Sequence, residues 1–213
     1  VPQNYHTILG IDSKPGDESL KCEIALDPGR AVKGRVVGPD GRPLTGARLH
    51  GLEDYFQSWS HKPMESADFV VEGIAQGASR DLLAIHEGQK LAGAFVVGPE
   101  EAGPITMKLG PWAVATGRVV DAGGLPLAGV DLSFFKGRDD AKNETGSLPE
   151  GLKTDDSGRF RAEGLVPGRK YQIRVWIKSP DGRMNQLRDL TKDVVAGAGE
   201  VKDLGDLVLK ASE

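Results

Sequence analysis

Apolar and polar residues alternate with a period of two through most of this chain. Tyr171, Ile173, Val175 and Ile177 fall on one side of a segment whose other side carries Lys170, Gln172, Arg174 and Lys178. That pattern belongs to a strand with one buried and one wet face. Leu20, Cys22, Ile24 and Leu26 alternate in the same way with Lys21 and Glu23, so Cys22 reads as a small core residue rather than a nucleophile. The pattern predicts strands near 20–26, 31–37, 46–52, 68–74, 80–86, 91–97 and 104–109, then near 112–120, 129–136, 158–163, 170–178, 187–195 and 201–209. No stretch keeps a helical period over a dozen residues, so the expected fold is all-β.

Turn residues separate these runs. Pro39-Asp40-Gly41, Ala122-Gly123-Gly124, Asp155-Asp156-Ser157-Gly158 and Pro180-Asp181-Gly182 each supply a glycine where a hairpin needs a positive φ. The polar stretch 137–153 reads as a surface excursion and the most flexible segment of the chain.

One phrase occurs twice. GRVVGPDGRPLTGARL at 34–49 and GRVVDAGGLPLAGVDL at 117–132 lie 83 residues apart and agree at nine of 16 positions. A second match, Phe69 to Gly77 with Phe160 to Gly168, is offset by 91 residues. The repeat divides the 213 residues into two sandwich units, 20–110 and 111–213, after an N-terminal segment 1–19. Their border falls at Gly110-Pro111, with no long linker, so the units are expected to touch.

Composition narrows the function more than it defines it. A net charge of -4 supplies no basic stripe for nucleic acid, and no apolar run approaches a membrane span. A single cysteine precludes an intrachain disulfide. The chain starts at Val1 without a signal-like segment, which fits a mature or excised piece of a longer protein.

The second unit runs Gly117 to Val120, Gly124-Leu125-Pro126-Leu127-Ala128-Gly129, Thr154-Asp155-Asp156-Ser157-Gly158-Arg159-Phe160 and Leu165-Val166-Pro167-Gly168. These phrases resemble the carboxypeptidase regulatory-like domain, one of the transthyretin-like or prealbumin-like group of seven-stranded Greek-key sandwiches. The first unit shares the opening phrase but lacks the T-D-x-x-G turn before Phe69. The resemblance implies two tandem prealbumin-like or Ig-like sandwiches in an exported bacterial protein, in the style of planctomycete surface proteins. It places them outside the cell, on its surface or in the periplasm. It further implies a non-catalytic structural or interaction module, partnered by other domains of the same polypeptide. A carbohydrate- or peptide-binding accessory role beside a peptidase or glycan-active enzyme is the alternative.

Few residues suggest chemistry. His50-Gly51-Leu52-Glu53 has zinc-ligand spacing but no third ligand by sequence. Asp139-Asp140, Asn143-Glu144 and Asp155-Asp156 lack the regular spacing of a calcium loop. An isopeptide cross-link from Lys21 or Lys33 would have to end on an aspartate of the last strand. No nucleophile triad, phosphate loop or CxxC pair occurs, and neither cofactor nor metal is expected. Aromatic residues carry the binding expectation: Tyr55, Phe56 and Trp59 crowd one loop, and Trp176 stands on the polar side of its strand. Such rings suit stacking against sugars or burial in a partner. Trp112 or Trp176 could instead fill the contact between units. The divergence of the first unit after Ala47 makes it the expected seat of any specialised role.

Overall fold

The computed structural model describes residues 23, 28–52, 62–136, 147–178 and 185–210. Among the described residues the helical content is one 3-10 turn, Glu87–Gln89, and none forms a helix long and apolar enough to cross a membrane. The expected strand at 20–26, Cys22 included, lies outside them apart from Glu23.

The first repeat contributes β1 (Arg30–Val37), β2 (Arg48–His50), β3 (Asp68–Ile74), β4 (Arg80–His86), β5 (Leu91–Val97), β6 (Ile105–Lys108) and β7 (Gly110–Pro111). They form a three-stranded sheet ordered β3-β1-β6 and a four-stranded sheet ordered β2-β4-β5-β7. The second repeat contributes β8 (Ala113–Val120), β9 (Asp131–Lys136), β10 (Ser147–Lys153), β11 (Arg159–Leu165), β12 (Lys170–Lys178), β13 (Asn185–Val195) and β14 (Val201–Val208). Its sheets are β11-β8-β14 and β10-β9-β12-β13. Each repeated GRVV phrase is thus the middle strand of a small sheet, antiparallel to one neighbour and parallel to the last long strand of its repeat. Val32, Val36, Phe69, Val71, Ile105 and Met107 meet Leu49, Leu82, Ala84 and Leu91 from the facing sheet in one core. Val119, Phe160, Ala162, Leu132, Phe134, Tyr171, Ile173 and Val175 build the other. The fold is an all-β sandwich arrangement.

The shared glycine has a steric reason. Gly34 pairs with Phe69 and Gly117 with Phe160, and in each case the ring occupies the place of the missing side chain. A Cβ at 34 would lie 2.2 Å from Phe69 Cζ, and one at 117 would lie 3.0 Å from the Phe160 ring.

Two expectations need correction. The strand-turn-strand phrases are not hairpins: Val37 and Val120 each make a single bridge, to Pro43 and Pro126, and the chain then crosses to the facing sheet, where β2 pairs with β4 and β9 with β12. Proline has no N–H to extend the ladder, and burial of Leu44 draws the chain inward. The stretch 137–153 is not wholly an excursion either, because Ser147–Lys153 pairs antiparallel with β9 as an edge strand. Pro149 and Gly151 conceal it in the sequence, and an edge with a register shift tolerates both.

The repeats meet through β4, which is buried on both faces. Leu82 and Ala84 point into the first core, whereas Leu83 and Ile85 join the second, together with Ala92 of β5. Trp112 packs against that second core, and a Cβ on Gly164 would stand 3.8 Å from the Trp112 ring and 4.0 Å from Ile85. Gly110–Pro111, the expected border, extends the first repeat's sheet by pairing with Leu91 and Ala92. The Trp112 amide then donates to Lys90 O at 2.9 Å. Arg169 reaches across as a two-pronged partner of the Asp81 carboxylate, with 16% and 27% of the two side chains exposed.

Candidate functional site

The outer face of β9 and β12 gathers the second repeat's solvent-facing aromatic chemistry. Alternation along β12 sends Tyr171, Ile173 and Val175 into the core and leaves Gln172, Arg174 and Trp176 outside. Asp131, Ser133 and Phe135 of β9 stand opposite Trp176, Arg174 and Gln172. Trp176 is 38% exposed, and its indole N–H donates to Ser133 Oγ at 3.1 Å, which fixes the plane of the ring. The Arg174 guanidinium lies 4.8 Å from the Phe135 centroid, a cation–π distance. It also donates to Asp189 at 3.0 Å and to Gln172 at 3.1 Å. Lys153 of β10 approaches Asp131 at 3.3 Å. Two positive and two negative groups therefore balance around a fixed indole.

Trp176 accordingly lies on the wet face, and Trp112 is the tryptophan that packs where the repeats meet. Tyr55, Phe56 and Trp59 fall outside the described residues, as do Glu53, Lys21, Asp139, Asp140, Asn143 and Glu144. Sequence reasoning overlooked Ser133, Phe135, Arg174 and Asp189 around Trp176. The alternation of β9 and β12 held the signal, since it puts their odd and even positions on common faces, but the pairing of those strands is long-range.

The other candidates have structural occupations. His50 is buried, 5% exposed, and pairs in register with Leu83 beside the contact between repeats. His86 caps the 3-10 turn, its Nδ1 accepting from the Gln89 amide at 3.1 Å. Asp155 closes its own turn by accepting from the Ser157 and Arg159 amides at 2.9 and 2.8 Å. Among the described residues no three His, Cys, Asp or Glu side chains are gathered to hold a metal ion. Lys33 is exposed on β1, in the first repeat's sheet, whereas Asp203 and Asp206 lie on β14 in the second repeat's sheet. A hollow of about 730 Å³ opens over the outer face of β1, β3 and β6, lined by Lys33, Arg35, Asp68, Val70, Pro104 and Thr106. Arg35 and Asp68 close a two-pronged ion pair there at 2.5 and 3.1 Å.

Comparison with known proteins adds modestly to this picture. No family model and no curated protein matches the chain. Among solved structures it is similar to the TIE protein of Bacillus anthracis, at 14% identity over 86% of this chain and 34% of that one, with a TM-score of 0.34. A streptococcal ancillary pilin gives 16%, 81%, 61% and 0.32. A 9R-lipoxygenase from Cyanothece PCC8801 gives 20%, 46%, 16% and 0.32. The chain spans less than two thirds of each of these three.

Three titrating groups reflect their surroundings. Burial pushes the Tyr171 phenol up to about 12, while its oxygen accepts the Val166 amide at 2.9 Å. Asp206, hydrogen-bonded by Arg118 at 2.9 and 2.6 Å, is held below the usual carboxylate range by that bond, and Asp68 is lowered likewise by Arg35.

Proposed function

We propose that this chain is a non-catalytic structural and interaction module of a larger exported bacterial protein. Its two sandwich units occupy 20–110 and 111–213 after an N-terminal segment, and their repeated phrases resemble those of carboxypeptidase regulatory-like domains. The carrying observation is the two-sided burial of β4. Leu83 and Ile85 sit in the same apolar cluster as Phe134 and Tyr171, and burying two such side chains is worth roughly 3–6 kcal/mol. A joint of that size, tied by the Asp81–Arg169 pair, holds the units as one stiff piece, as a spacer requires.

The motif residues support the same reading, because folding uses them up. Thr154 Oγ1 donates to Leu127 O at 2.7 Å and accepts the Val130 amide at 2.9 Å. Asp155 closes the turn, Gly158 takes a φ of 73° there, and Phe160 covers Gly117. Each letter of the phrase does a structural task, which suits a scaffold whose neighbours in the full protein define its use.

The test is the stiffness of the joint. With Cys22→Ser as background and spin labels at Val70→Cys and Val201→Cys, the distance distribution is expected to be single and narrow. Adding Ile85→Asp should broaden it while both units keep their β-sheet circular dichroism. A broad distribution before that substitution would sink the spacer reading.

A further inference from the structure

We propose that the outer face of β9 and β12 binds a neutral saccharide chain, with Trp176 as its stacking plane. This goes beyond the spacer role and stands on a different observation, the point at which the two repeats diverge. Leu49 pairs with Ala84, and Leu132, its repeat equivalent, pairs with Val175. Leu83 and Ile85 therefore correspond to Arg174 and Trp176. In the first repeat these two positions are apolar and seat the second repeat. In the second repeat the same place on the sheet carries an exposed indole and a guanidinium.

The substitutions change what the face can accept. A sandwich end needs an apolar bed, and Arg174 in place of Leu83 would bring a charge into it, with a large desolvation penalty. A saccharide presents a C–H face that stacks on an aromatic plane and a rim of hydroxyls that both donate and accept. Trp176 offers the plane, immobilised by Ser133 at 3.1 Å. Asp131 and Asp189 offer acceptors near it, Gln172 offers one at the level of Phe135, and Arg174 and Lys153 offer donors. Arg174 pairs with Asp189 and Lys153 with Asp131, so these four charges around the indole are matched in pairs, and a neutral ligand suits that surround best. Phe135 and its Arg174 cover stand four residues along β9 from the level of Trp176, about 13 Å at the rise of a strand. That separation favours an extended chain over a single sugar.

The experiment is calorimetric titration of the whole chain with soluble neutral oligosaccharides built from glucose, mannose, xylose or N-acetylglucosamine. At least one series is expected to bind more tightly as it lengthens. Trp176→Ala should weaken it by about tenfold or more, a loss of about 1.4 kcal/mol, with unchanged melting. Trp176→Phe, which keeps a ring, should retain most of the affinity, and it serves as the folded control if the alanine variant is unstable. Failure of every series at millimolar concentration, or affinity indifferent to both substitutions, overturns the proposal. So does a concentration-dependent self-association of the chain that Trp176→Ala abolishes while no sugar binds, which would make the face a protein contact. Neither outcome touches the stiffness of the joint.

Discussion

Replacing Gly34 with alanine isolates the reason for the repeated phrase. The new methyl group would lie 2.2 and 2.5 Å from Phe69 ring atoms and 2.8 Å from Ile105 Cγ1. Phe69 and Ile105 are 6% and 4% exposed, so neither can retreat into solvent. Overpacking of this kind costs roughly 1–3 kcal/mol, and the severity of the overlap puts the value near the top of that range. Alanine recovers about 0.5–1 kcal/mol relative to glycine inside a strand. The net expectation is a loss of about 2 kcal/mol. The equivalent contacts at Gly117 are 3.0–3.1 Å, at the low end of the same range, so Gly117→Ala should come out near zero. Urea denaturation followed by circular dichroism measures both, with stability read from the shift in midpoint at constant slope. For a unit of about a hundred residues a 2 kcal/mol loss lowers Tm by roughly 8–16 °C. Phe69→Leu should recover part of the loss in the Gly34→Ala background while destabilising the parent, a coupling that only touching residues show. An alanine at 34 as well tolerated as one at 117 would refute the steric account of the phrase.

Two further predictions concern pH. Tyr171 has a folded pKa of about 12 against an ordinary 10, so the unfolded chain loses its proton first; the Tyr171 contribution to stability should be flat below about pH 9 and fall between 10 and 12. Urea midpoints across that range should lose this part of the alkaline slope in Tyr171→Phe, and an unaltered slope would count against the burial argument. Asp68 and Asp206 are depressed by their arginine partners, so they stabilise the fold above the unfolded carboxyl value of about 3.9 and lose that contribution as pH falls through their folded values. NMR titration should give midpoints below that value for both, and Arg35→Ala should return Asp68 toward it while leaving Asp206 in place.

Alternation of residue type made most strands legible, because the period of two is a local property of the pleated chain. The face of Trp176 was legible for the same reason. Its surroundings were not, since Ser133 and Asp189 reach it from strands 43 and 13 residues away in the chain, through pairings that no local pattern encodes. The edge strand at 147–153 was missed because Pro149 and Gly151 read as breakers, and only an edge position excuses them. The run Leu82-Leu83-Ala84-Ile85 carried an unused clue. Four apolar residues in succession have no wet face, and the strand that holds them is covered on both sides.

The sequence by itself determined the all-β class, the doubling of the unit, the turn glycines and the inward face of most strands. All of these follow from local sterics and from the partition of side chains between water and core. Tertiary structure alone decided that each GRVV strand lies between an antiparallel and a parallel neighbour, and that the phrase after it crosses to the facing sheet. It also decided that Leu83 and Ile85 belong to the other repeat's core while their equivalents Arg174 and Trp176 face outward. Those outcomes depend on which distant surfaces meet, because equivalent strands of the two repeats end with one outer face covered and the other open to solvent.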